Sequence, residues 1–313
     1  MQRILPFIIF LLFPFFSVYG TEQPTVAVSI RPLHSLVSMV MLDVGEPKLL
    51  VSSAGSPHGY NLRPSEARNL YNSDLIVWVG PELETFLSRP LANINDKQKI
   101  MTLSLDLPDL IRLSPRNAGS WPDQDHAEND HGHHALEAAS IDPHIWLDPA
   151  NASIIVRALT EKLMLIDPLN ASSYAKNLTN IIQQLENLDR NLQSRLKKFS
   201  GSRYVVFHDA YQYFEKHFNL NPLGALAIDP DRRPGVRRLN QIKEQIRTEG
   251  AICVFSEPQF EPALIDILIE GTSVRTGVLD PLGTNLKPGS ELYFNLMEQM
   301  ASAVEKCLTA EER

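Results

Sequence analysis

Nine histidines stand in this 313-residue chain, and their spacing sorts them into two groups. Four crowd one acidic stretch, DQDHAENDHGHH, as His126, His131, His133 and His134. Three others stand singly beside the ends of apolar runs: His58 in AGSPHGY, His144 in IDPHIWLDP and His208 in VVFHDAY. Neutral imidazole is the commonest metal ligand in proteins, and three such nitrogens with one oxygen suit zinc. The pattern therefore predicts two metal-binding elements, one polyvalent and acidic, the other built into a fold. Each residue alone has a plainer reading. A single loop histidine is ordinarily a solvated side chain, His208 can cap the helix that follows it, and Asp280 before Pro281 can be a turn residue. Their joint occurrence carries the argument.

For residues so far apart to meet on one ion, the fold must gather them. Short apolar runs alternate with amphipathic segments: strands at TVAVSI, PKLLVSS and LIVWVG, with helices at RPLHSLVSMVML, at PSEARNLYN and from Pro81 to about Leu87. That alternation predicts a parallel sheet covered on both faces. Between Pro115 and Ser140 the pattern gives way to acidic residues, His, Asn and Gly, a composition that buries too little apolar surface to order itself. A helix resumes over 149–166. From Pro168 to Phe199 no further Gly or Pro intervenes, and Leu178, Ile181, Leu185, Leu188, Leu192, Leu196 and Phe199 form an apolar stripe. Such a helix, roughly 45–50 Å long at ~1.5 Å per residue, could connect two lobes. Beyond it strands RYVVF, LGALA, AICVF and VRTGVL alternate with helices again. The expected architecture is α/β: an N-terminal lobe over 21–166 with the acidic loop 115–140, a connecting helix over 167–200, and a C-terminal lobe over 201–313. Ligands of open α/β sheets bind beyond the carboxyl ends of strands. His58, His208, Glu257 and Asp280 all follow predicted strands, so the site belongs in the interlobe cleft.

The first twenty residues read as an export signal, with Arg3 ahead of the apolar run ILPFIIFLLFPFF and small residues Val18 and Gly20 before a cut at Thr21. The run is shorter than the ~20 residues of a spanning helix and holds two prolines. No later segment is long and apolar enough to cross a bilayer. Loss of Arg3 takes the net charge from −8 to −9, which argues against nucleic acid as a partner. In an oxidising compartment Cys253 and Cys307 are expected to pair, pinning the last helix to a buried strand. Two thiolate ligands are the other reading, without a CxxC partner to support it.

The segments SPHGYNLRPSEAR, IVWVGPELETF, FHDAYQYFEKHF, VFSEPQF and GVLDPLGTN, with the acidic histidine loop among them in order, resemble the ZnuA family across nearly the whole mature chain. Members are periplasmic zinc-binding proteins of ABC importers. The resemblance implies a monomeric, non-enzymatic binding protein that takes Zn2+ in the periplasm and passes it to a membrane permease. It implies His58, His144 and His208 as zinc ligands. Manganese-binding relatives carry glutamate at the third place, so His208 favours zinc. The fourth contact falls to Asp280 or to water, since Pro57 stands where some members place a glutamate. Glu257 is either an acceptor that orients an imidazole N–H or a turn residue before Pro258. His34 either lines the cleft or is simply solvated, and His217 is structural. The resemblance gives His126, His131, His133 and His134 a role in gathering metal weakly. Two rival functions remain: a zinc hydrolase, though no HExxH motif is present, and a metal-binding surface adhesin of the same fold.

Overall fold

Strands that are apolar on both faces can only sit inside, and here they build two separate parallel sheets. The structure, a computed structural model, describes residues 23–52, 55–116, 141–227, 234–260 and 263–309. The predicted signal segment and the four clustered histidines lie outside the described residues. The first sheet is built from β1 (Val26–Val28), α1 (Arg31–Val40), β2 (Lys48–Leu49), α2 (Pro64–Tyr71), β3 (Leu75–Trp78), α3 (Thr85–Ala92), β4 (Ile100–Thr102) and α4 (Leu103–Asp106). Its strand order is β2-β1-β3-β4, all parallel. Next come α5 (Pro149–Ile166) and α6 (Ala171–Leu196). The second sheet arises from β5 (Arg203–His208), α7 (Gln212–His217), β6 (Asn221–Ala227), α8 (Val236–Glu249), β7 (Cys253–Ser256), α9 (Ala263–Ile269) and β8 (Arg275–Val278), before α10 (Leu292–Leu308). It runs β6-β5-β7-β8, again parallel. Residues of β1, β3 and most of β5 are buried on both faces, as a helix-covered parallel sheet requires.

The predicted stripe along α6 is the buried one. Ile181, Leu185, Leu188, Leu192 and Leu196 are all buried, and 3-10 turns at Pro168–Asn170 and Lys197–Phe199 extend the helix at both ends. It packs against both halves. Asn177 Nδ2 donates to the carbonyls of Val40, the last residue of α1, and of Leu42 just beyond it, while Arg195 pairs with Glu298 and Glu305 of α10. One hydrophobic core runs through α1, α5, α6 and α10, joining the sheets along a continuous seam. The disulfide Cys253–Cys307 ties β7 to α10, with Cα atoms 5.9 Å apart.

Two expectations change. The helix anticipated from Pro81 starts at Thr85 instead. Residues 80–84 form a turn in which the buried Glu84 carboxylate accepts from Val79 N–H and Gly80 N–H. The strand β4 and short α4 were not anticipated, because KIMTLSLD is too short and mixed to declare a period.

Candidate metal centre

Each of the three isolated histidines is delivered by the end of an element. His208 is the last residue of β5, at the carboxyl end of the second sheet. His144 precedes the 3-10 turn Ile145–Leu147, which leads into α5. His58 follows β2 on a loop whose backbone carbonyl accepts from Thr85 Oγ1 of α3. Their rings converge, with centroids 5.6 Å apart for His58–His144, 5.5 Å for His58–His208 and 5.0 Å for His144–His208. One nitrogen from each lies within 4.8 Å of the others. Zinc with bonds of ~2.0–2.1 Å holds tetrahedral nitrogens ~3.4 Å apart, so the cluster needs a small contraction to close on an ion.

Carboxylates orient two of the rings. His144 Nδ1 lies 2.8 Å from Asp142 Oδ1, which also accepts the His144 backbone N–H at 3.0 Å. His208 Nδ1 lies 3.2 Å from Glu257 Oε1 and 3.3 Å from Oε2. With Nδ1 taken on each ring, Nε2 of His144 and of His208 are buried and have no hydrogen-bond partner among the described residues. Buried polar atoms are rarely left this way without a ligand to meet them. Trp146, Leu83, Phe260 and Pro281 help wall the cavity, whose volume is 20 Å³. That is room for about one water-sized body.

Burial drives the electrostatics. It pushes His144 well below the usual imidazole pKa, and the neighbouring His208 and Arg116 add to this. Burial works to lower His208 too, but the Glu257 carboxylate outweighs it and the net shift is upward. Asp142 is raised to about 6, chiefly by burial, against the pull of the His144 N–H, Arg116 and His208. His144 therefore presents a neutral ring to a cation, and on both rings the carboxylate-bound Nδ1 leaves Nε2 as the atom that would meet it.

The remaining candidates are placed differently. Glu257 lines the cavity within hydrogen-bond reach of His208 Nδ1, as the first of its two readings has it. Asp280 does not join the cluster. Its Oδ1 accepts from Leu282 N–H, Gly283 N–H and Gln259 Nε2, and its Oδ2 from Thr284 N–H at 2.6 Å, so the carboxylate organises its own turn. His34 is not in the cleft: it is buried, and Nε2 hydrogen-bonds to the Pro47 carbonyl at 3.1 Å. His217 is structural, bridging Asp148 at the start of α5 and Asp189 of α6. Asp142 was missed by sequence reasoning; its only signal is an aspartate two residues before a histidine in DPH. Arg116 was missed as well. It is the last described residue before the 117–140 stretch, and its Nη2 pairs with Asp209 at 2.6 Å and Glu215 at 2.7 Å beside His208.

Known proteins resemble this chain over nearly its whole length. The family model described as "Zinc-uptake complex component A periplasmic" matches residues 26–307. The high-affinity zinc uptake system protein ZnuA of Brucella abortus is 40% identical over 314 residues, covering 93% of this chain and 94% of its own. That of Yersinia pestis is 36% identical over 300 residues, covering 93% of each. Among solved structures, the periplasmic zinc binding protein TroA from Treponema pallidum superposes with a TM-score of 0.77 at 21% identity, over 92% of this chain and 100% of that one. At that identity it speaks for the fold.

Proposed function

The chain belongs to the ZnuA family of periplasmic zinc-uptake components, and from that premise we propose that it captures Zn2+ through His58, His144 and His208 and delivers it to an ABC-type permease. One observation carries the ligand assignment: Nε2 of His144 and of His208 point without partners into an ion-sized cavity that His58 also lines. Three imidazole nitrogens are borderline-soft donors that suit zinc better than manganese, which prefers oxygen. Water is the fourth donor, since both Asp280 oxygens are engaged in its own turn and Asp280 is not part of the histidine cluster. Asp142 and Glu257 offset the charge of Zn2+ and hold the two rings. No catalysis is called for. The chain is exported by residues 1–20 and works as a monomer. The histidines of the acidic segment feed the site as weak donors, and loading moves the cleft loops more than the lobes.

A zinc-limited growth assay tests this. Cells lacking the chain should stop growing in zinc-depleted medium, recover on added zinc but not manganese, and be rescued by the unaltered chain. Rescue by His144→Ala to the same extent would contradict the assignment.

A further inference from the structure

We propose that Arg31 is a positioning residue of the zinc site, a guanidinium clasp between the loop that carries His58 and the loop that walls the cavity from the second sheet; this rests on the ligand reading above. Arg31 opens α1 and is half-buried. Its Nη2 donates to the Ser52 carbonyl at 2.7 Å and its Nη1 to the Leu286 carbonyl at 3.1 Å. Ser52 follows the last residue held by the first sheet, where Val51 N–H reaches the Ser29 carbonyl at 2.9 Å. From there the chain runs to His58. Leu286 closes the turn that Asp280 organises, through its N–H to the Gly283 carbonyl at 2.9 Å. Pro281 and Leu282 of the same turn line the histidine cavity.

Two loops from two sheets thus meet on one side chain. A second cavity of about 10 Å³, lined by Arg31, Gly55, Pro57, Leu282 and Thr284, lies between them. The bridge spans the two loops at the edge of that cavity and so helps to set their separation. His58 is the histidine most dependent on that separation, because it comes from a loop, whereas His208 ends a strand and His144 is fixed by Asp142. Only arginine can make this bridge, since its planar fork presents separate donors in fixed directions while lysine offers one point charge.

The test is the rate of zinc release from the loaded mature chain into excess chelator, followed by stopped flow. Arg31→Lys keeps the charge and loses the fork; Arg31→Met loses both. Both variants should still bind one zinc and release it about tenfold faster, the lower end of the effect of groups that orient metal ligands. The melting temperature without zinc should stay within ~2 °C of the unaltered chain, as for a substitution outside the core. An unchanged release rate in Arg31→Lys overturns the proposal, whatever Arg31→Met does. So does a larger loss of zinc-free stability with release unaltered, which would mark a purely structural role. Failure of the ligand reading is separate: His58→Ala would then release zinc no faster than the unaltered chain.

Discussion

The back of the molecule and its cleft are built from opposite materials. At the back, α1, α5, α6 and α10 share one apolar core that passes from one sheet to the other without a break. At the cleft, polar and charged residues are buried among apolar walls: His144, His208, Asp142 and Glu257 are each less than 5% exposed. The seam is stabilised by burying apolar area, which no ion affects. The cleft groups are held by one another, and two imidazole nitrogens there remain unmatched. Hinge opening would have to part packed leucines along α6, so binding is expected to act on the loops. Stability and metal affinity should accordingly separate in experiment.

The largest separation is expected on the stability side. Replacing Cys253 and Cys307 by serine removes a cross-link between residues 54 apart, worth about 4 kcal/mol of unfolding free energy. Denaturant melts should show that loss, while zinc titration should still find one tight site; loss of the site would break the comparison. On the cleft side, Asp142→Asn and Glu257→Gln should each weaken zinc by about 10–100-fold, with the zinc-free melt barely moved. Competition with a chelator of known affinity measures the first quantity and calorimetry the second.

The smallest effect sharpens the boundary between the regions. His217 is raised to about 9; burial lowers it, but bonds to Asp148 and Asp189 outweigh this. A pKa above the unfolded value of ~6.5 means stability fully present below pH 6.5 and lost as pH rises through 9. The zinc-free melting temperature should therefore fall by about 2–4 °C across that window, the shift expected for each kcal/mol lost. His217→Gln should flatten the fall.

Much of this was legible in the residues. Runs such as IVWVG and YVVF read as buried strands because parallel sheets demand apolar residues on both faces. The α6 stripe is buried from Ile181 onward, with Leu178 partly covered, because helical period and burial coincide. Short elements fared worse: β4 has three residues, too few for a period, and α3 begins late because Glu84 spends its side chain on the preceding turn. At the site, the three histidines that converge were the three singled out. Their partners were harder to see. Glu257 follows β7 and was a natural candidate, but Asp142 acts through a local turn that no spacing rule announces. Asp280 shows the converse, since LDPLGT is equally a ligand motif and a turn, and the structure gives its oxygens to the turn.

The separation of the conspicuous histidines from the binding histidines is the claim most exposed to test. The direct measurement is zinc titration of the mature chain, of a chain lacking residues 120–136, and of that shortened chain carrying His208→Ala. One tight zinc should persist through the deletion and vanish with His208→Ala. Tight binding that disappears with the deletion alone, or survives His208→Ala, would contradict the account.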